Sequence, residues 1–314
     1  MGPMETAELA ERFGLGRVRE LSDGPVARGK QGEVWHLETA DGRWAVKVPF
    51  HETPEETVGE STRFQEAALA AGVPVPSVRR TTEGHVFARV GGRQVRLYGW
   101  VELGRPDPGL DPGLVGATVA ALHRVPFTAD GPVHPWYTEP VGADGWDTLI
   151  RRLHAGGAPF AGRLAALRDE LVALESWLEP PADLRACHCD LWADNVLPTT
   201  GGGLCVIDWE NSGPADPAQE LACAVFEFGR SDPGRARALT SAYAAAGGPG
   251  RLRRPGDFSM LIAQLGHINE RAALDWLEPN ARNPDRAGSE AWIAETLDDP
   301  HTRARLTALL ESAA

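Results

Sequence analysis

His188-Cys189-Asp190-Leu191-Trp192-Ala193-Asp194-Asn195 and, further on, Val206-Ile207-Asp208 are the stretches whose reading decides the fold. Asn195 follows Asp190 by five residues and Asp208 follows it by eighteen. Moving a phosphoryl group from a nucleoside triphosphate to a hydroxyl requires an acceptor for the hydroxyl proton and oxygen ligands for Mg2+. An H-x-D-L-x-x-x-N loop with a later Asp supplies both. In that pattern Asp190 accepts the proton, and the amide oxygen of Asn195 shares a metal with the carboxylate of Asp208. Val196-Leu197 and residues 204–207 are strand-type runs separated by Gly201-Gly202-Gly203, so the spacing predicts a hairpin that sets Asn195 and Asp208 side by side. Asp and Asn are common in loops for reasons of turn geometry alone. Order, spacing and apolar context together favour the chemical reading.

The chain has two lysines, Lys30 and Lys47, among 31 basic residues. A composition so biased toward Arg keeps Lys where a compact ammonium matters, and phosphate contact is one such place. Lys47 lies in Trp44-Ala45-Val46-Lys47-Val48, close to the V-A-I-K strand whose Lys holds the α- and β-phosphates. Such a Lys needs a carboxylate partner from a helix. A helix predicted over 57–71, stopped by Gly72 and Val73-Pro74-Val75-Pro76, offers Glu60 and Glu66. Glu60 shares a face with Phe64, Ala67, Ala68 and Ala71 and is the expected partner, with Glu66 as the fallback. Upstream, Ala27-Arg28-Gly29-Lys30-Gln31-Gly32 is a two-glycine turn between strand-type segments. Gly29 and Gly32 would let backbone amides approach a triphosphate, with Lys30 adding charge. A G-x-x-G turn alone is more often a plain hairpin.

Together these elements, the Pro-rich exit from the helix and the run Ile207-Asp208-Trp209-Glu210 resemble the aminoglycoside phosphotransferase and choline-kinase-like family over residues 21–244. The resemblance implies an α+β, bilobal, protein-kinase-like fold: a β-rich nucleotide-binding lobe (1–102) and a mostly α-helical catalytic and substrate-binding lobe (103–314). It implies Asp190 as catalytic base, Asn195 and Asp208 as Mg2+ ligands, Lys47 with Glu60 as the phosphate-positioning pair, and Trp100-Val101 as the hinge that meets adenine. ATP is the expected nucleotide, with GTP the alternative. The expected acceptor is a hydroxyl of a small molecule, cationic in the case of an aminoglycoside-like antibiotic or an amino alcohol. Cys189 stands where the family usually has Gly, Gly32 where its phosphate loop often carries Asn, and Glu220-Leu221-Ala222 where it more often shows D-L-A. By analogy Asp216 braces the catalytic loop. Two other readings are a nucleotide-binding pseudokinase with a regulatory role and a protein kinase. Against the latter, Trp209-Glu210 replaces Phe-Gly after Asp208, and no A-P-E stretch follows.

With 314 residues, 42% hydrophobic and 24% charged, the chain is long enough for two lobes. Its net charge of −13 is uneven: residues 1–100 carry 13 basic and 14 acidic groups, the remainder 18 and 30. The second part would repel a nucleic acid backbone and attract a cation, although acidic surfaces also serve solubility. No apolar run approaches the ~20 residues of a membrane span, and no secretory leader is visible. Cys187, Cys189, Cys205 and Cys223 lack zinc-site spacing and read as small buried thiols of a cytoplasmic protein. The composition does not speak to oligomeric state.

The first lobe is expected to carry one helix. In the second, helices are predicted over 114–124, 147–154, 161–178, 217–229, 233–246, 255–277, 289–298 and 301–310. A loop over 128–146 holds Trp136 and Tyr137, and its length alone suggests a role over the substrate. His123 reads as a structural or capping residue. Family resemblance puts the acceptor near the late helices, where Glu270, Asp275, Trp276 and Glu278 could bind ammonium groups. Acidic residues at helical spacing more often form a solvated face.

Overall fold

The structure is a computed structural model that describes residues 3–29, 32–279 and 286–313. In chain order the elements are α1 (Pro3–Phe13), β1 (Val18–Leu21), β2 (Ala27–Arg28), β3 (Gly32–Thr39), β4 (Gly42–Pro49), α2 (Glu55–Ala70), β5 (Val78–Arg79), β6 (Ala88–Val90) and β7 (Arg93–Gly99). They continue with α3 (Pro112–His123), α4 (Ala143–Ala155), α5 (Ala161–Glu175), β8 (Arg185–Cys187), β9 (Val196–Pro198), β10 (Leu204–Val206) and β11 (Gly213–Ala215). Last come α6 (Pro217–Gly229), α7 (Pro233–Ala245), α8 (Ser259–Leu277), α9 (Arg286–Asp298) and α10 (Arg303–Ala313). The fold is α+β. Contacts divide the chain into two compact units, one of residues 1–107, 125–127 and 193–212, the other of 108–124, 128–192 and 213–314. The division is therefore not a single cut at residue 102: the segment that carries Asn195 and Asp208 belongs to the first unit.

In the first unit an antiparallel sheet runs in the order β1-β3-β4-β7-β5, with β2 on β3 and β6 on β7. One helix was expected here, and α1 is a second. Leu9, Ala10 and Phe13 fall on one side of it and pack with Leu15, Leu37, Val46, Val95 and Leu97 in one core. At about 1.5–3 kcal/mol per fully buried large side chain, that stripe is enough to fold so short a helix against the sheet. On α2 the buried residues are Val58, Ser61, Thr62, Phe64, Gln65 and Ala68. The buried face is thus turned by about 100° from one centred on Glu60. Polar side chains can occupy it because they bond backbone: Ser61 and Thr62 donate to Val58 O (3.0 and 2.6 Å) and Gln65 to Pro76 O (2.9 Å). The β9–β10 hairpin forms with Val206 opposite Val196, as the sequence spacing indicated. Val206 N donates to Pro74 O (2.8 Å), tying the hairpin to the chain that leaves α2.

The second unit is helical apart from the short β8–β11 pair. Trp146, Leu153, Phe160, Leu164, Ala273, Trp276 and Ile293 form the core of α4, α5, α8 and α9. Three helices begin with Asp at the cap and Pro at the first position: Asp111-Pro112, Asp216-Pro217 and Asp232-Pro233. The carboxylate takes amides left over at the helix start, and Pro has no amide to satisfy. Asp232→Ala removes bonds to Gly234 N (2.7 Å) and Arg235 N (3.3 Å). It is expected to lower unfolding free energy by about 1 kcal/mol, measured by urea titration; a change below a few tenths would show the cap to be idle.

Candidate active site

In the first unit Lys47 lies on β4 opposite Val34 of β3 and Arg96 of β7. Its Nζ donates to Asp208 Oδ1 (2.5 Å) and Glu210 Oε1 (2.7 Å). Arg96, 4% exposed, donates from the other side to the same Glu210 oxygen (3.0 Å) and to Thr62 Oγ1 (3.1 Å). Two cations and two carboxylates thus interlock, with Arg96 buried, Lys47 and Glu210 half-buried and the Asp208 side chain 38% exposed. Burial by itself would depress the Lys47 ammonium, but Glu210 and Asp208 outweigh it and hold the pKa above the usual lysine range. Burial, reinforced by the charge of Glu210, pushes Asp208 up to about 6 against the pull of Lys47. Glu210 goes the other way: despite burial, the two cations hold it below the usual carboxylate range.

Asp208 has φ +64°, a left-handed conformation that Asp tolerates better than most residues. Ile207 N donates to Asn195 O (2.9 Å), so the hairpin holds the residues at its two ends together. These are hard oxygen donors with a net negative charge, a set that suits Mg2+.

The other expected nucleotide residues are placed as follows. Glu66 is taken by Arg80 (2.7 and 3.0 Å). Glu60 lies half-buried at the margin of the α2 core face. Gly29 N donates to Gly32 O (3.0 Å), closing the turn, and Lys30 is outside the described residues. A Cβ on Gly32 would stand 2.5 Å from Val48 O, so close packing of β3 on β4 itself requires glycine there. Trp100 N donates to Arg43 O (3.0 Å) and its indole to Glu102 (2.9 Å), which commits Trp100 to the sheet. Sequence reasoning gave no role to Glu210 or Arg96. The signals were there: an acidic residue two after Asp208, and an Arg in a strand otherwise fit for burial.

In the second unit β8 leads into the loop that carries Asp190. Glu220 of α6, fully buried, accepts from His188 N (3.2 Å) and from Cys189 N. Gln264 of α8 donates to Cys189 O (2.7 Å). Both ends of Cys189 are therefore held, at a residue with φ +66°. The brace is Glu220 and not Asp216, which was expected in that role. Asp216 instead caps α6 at Ala218 N (2.8 Å) and takes Ala182 N (2.8 Å) and Asp183 N (3.3 Å) before β8. Of the structural and capping readings of His123, the structural one holds. The ring is buried, with Nε2 on Glu220 Oε2 (2.6 Å) and Nδ1 on Tyr243 Oη (2.8 Å).

A model described as the phosphotransferase enzyme family matches residues 24–255. The chain belongs to that family. Among curated proteins it is similar to a homoserine kinase of Pseudomonas aeruginosa, 28% identical over 249 residues, which are 74% of this chain and 73% of that one. Among solved structures it is similar to a spectinomycin phosphotransferase in complex with ADP and spectinomycin, with TM-score 0.69 and 13% identity over 99% of this chain and 98% of that one. It is also similar to a choline/ethanolamine kinase family protein from Mesorhizobium loti, with TM-score 0.60 and 20% identity over 98% and 100% of the two chains. The kinase-like fold is thereby established, and the protein is a small-molecule phosphotransferase.

Most acceptor-side candidates in this phosphotransferase have structural partners. Trp276 is a core residue whose indole donates to Glu290 (2.8 Å). Asp275 pairs with Arg271 (3.1 Å), and Glu278 with Arg152. Glu270 bonds His267 Nδ1 (3.2 Å), and His267 Nε2 meets Glu139 O (3.0 Å). Trp136 stacks on the His267 ring at 5.1 Å and 26°. The segment foreseen as a loop is thus pinned to α8, and α4 begins within it.

Both His267 nitrogens face acceptors, which favours the doubly protonated ring, and the bond to Glu270 raises its pKa. A raised folded-state pKa adds stability below the unfolded value, lost as pH rises through the folded one. The Tm advantage of wild type over His267→Gln is therefore expected to be full well below the unfolded histidine value of about 6.5 and to shrink as pH rises above it. A pH-independent difference in a thermal-shift series would contradict it.

The four cysteines are free and buried, and burial raises the thiols of Cys187, Cys189 and Cys223, which suits packing and not nucleophilic chemistry. Among the described residues no helix is long and apolar enough to cross a membrane. His123, Cys187 and Glu220 have ligand-type atoms within 4.8 Å of one another. Because Glu220 already receives three donors, this is a hydrogen-bonded network.

Proposed function

We propose that this phosphotransferase uses ATP with Mg2+ to phosphorylate a hydroxyl of a small, ammonium-bearing acceptor. The observation that carries the reading is Lys47, a half-buried ammonium on a strand, held by Asp208 and Glu210. Asp190 takes the hydroxyl proton as the acceptor oxygen bonds the γ-phosphorus and the bond from that phosphorus to the leaving diphosphate breaks, leaving ADP. Lys47 holds phosphate oxygens and offsets their charge. Asn195 and Asp208 would hold Mg2+, which supplies charge neutralisation at the phosphates. Glu60 is the helix carboxylate that would pair with Lys47, since Glu66 is already held by Arg80. In the hinge, Val101 offers the backbone groups for adenine, and the Gly29–Gly32 turn with Lys30 covers the phosphates.

The curated relative is a homoserine kinase, and the solved relatives include a choline/ethanolamine kinase family protein and a spectinomycin phosphotransferase. A hydroxyl carried with an amine is the chemistry these names share, and the acidic balance of residues 101–314 suits a cation. Reduced thiols and a need for ATP fit the cytoplasm.

The test is a mass-spectrometric screen for gain of one phosphate across homoserine, ethanolamine, choline and aminoglycosides with Mg2+ and ATP. Transfer to an amine-bearing alcohol is the expected result. Nucleotide binding without transfer to any acceptor would overturn it, and label on polypeptide would point to a protein kinase.

A further inference from the structure

Behind the Asp190 loop runs a chain of hydrogen bonds with no part in the reaction as described. Gly250 N donates to Tyr243 Oη (2.9 Å), Tyr243 Oη meets His123 Nδ1 (2.8 Å), and His123 Nε2 meets Glu220 Oε2 (2.6 Å). The Tyr243 oxygen accepts from Gly250 N, and in the tautomer that carries its proton on Nε2 the imidazole donates to the Glu220 carboxylate and accepts the Tyr243 hydroxyl at Nδ1. His123, Glu220 and Tyr243 are buried, so they meet neither nucleotide nor acceptor.

What this chain holds is a carboxylate in one orientation. Glu220 turns its two oxygens to the amides of His188 and Cys189. Cys189 needs holding: a residue with a Cβ is disfavoured in the left-handed region. Its neighbours supply the compensation, Glu220 at the amide and Gln264 at the carbonyl. The next residue is Asp190.

We propose that His123 and Tyr243 are positioning residues for phosphoryl transfer, which orient the Glu220 carboxylate so that it fixes the left-handed turn at Cys189 and thereby the direction in which Asp190 leaves the backbone. The proposal rests on Asp190 as the base.

The test uses the full chain carrying Tyr243→Phe, His123→Leu or His123→Gln, assayed well below each Tm with homoserine, or with a stronger acceptor from the screen. Tyr243→Phe is expected to lower kcat about tenfold and His123→Leu about 100-fold, with KM for ATP within about twofold of wild type. His123→Gln, whose amide nitrogen can donate to Glu220, recovers about tenfold of the loss. Amide hydrogen exchange at residues 188–189 speeds up in His123→Leu without an equal change elsewhere.

Wild-type kcat and unchanged exchange in Tyr243→Phe and His123→Leu would overturn the proposal. So would a loss that merely follows the folded fraction. If His123→Leu does not fold, Tyr243→Phe, which removes one oxygen atom, decides. The underlying reading fails separately: turnover retained in Asp190→Asn removes the base, whereas an inactive Asp190→Asn beside a fully active Tyr243→Phe removes only the positioning role.

Discussion

Asp190→Asn lowers kcat by about three orders of magnitude and leaves ATP affinity within about twofold of wild type. The substitution keeps size and polarity and removes only the capacity to take a proton. The attacking oxygen must then lose that proton to water or to the phosphate, and positioned acid–base groups contribute about 10²–10⁴ to rate. ATP affinity is expected to survive because the proposed triphosphate contacts come from Lys47 and from Asn195 and Asp208, which the substitution leaves in place. The measurement is steady-state kinetics beside calorimetric titration with ATP and Mg2+. A fall in affinity equal to the fall in kcat would move Asp190 from base to binding group, and an unchanged kcat would end its role.

Lys47→Met is expected to lower kcat/KM by about 10²–10³, the usual loss when one preformed charge partner of a reacting group is removed. Lys47→Arg should not restore it. The native site accepts a compact ammonium at 2.5 and 2.7 Å from two carboxylates, and Arg96 already presents a guanidinium to the far side of Glu210. A planar five-donor head cannot replace a point charge there. Activity of Lys47→Arg near wild type would show that only charge matters at this position.

Placements set by covalent spacing were legible in the sequence, and those set by packing were not. The adjacency of Asn195 and Asp208 was readable because a short hairpin leaves its ends little choice of position, and the β9–β10 register follows. The strand that carries Lys47 was readable from its residue types. The carboxylate partners of Lys47 in the structure, Asp208 and Glu210, depend on where the chain goes after β10, which no period of apolar residues reports. The face of α2 was misjudged because Ser61, Thr62 and Gln65 look exposed by type and are buried by virtue of backbone bonds. Glu220 and Asp216 were exchanged for a similar reason: on one helix start, four residues apart, either carboxylate could reach the loop by sequence alone. Helix α1 carried a readable stripe, Leu9, Ala10 and Phe13, diluted by Glu5, Glu8, Glu11 and Arg12.

Arg96 gives the first unit something a single lysine–carboxylate pair lacks. With Arg96 and Lys47 on the same oxygen, Glu210 keeps a guanidinium if the ammonium is drawn elsewhere and is not left as a lone anion. Stranding a charge is far more unfavourable than exchanging partners. On the proposed reading, in which Lys47 turns to the phosphates, the change is a substitution of counter-ions with the spare cation already seated.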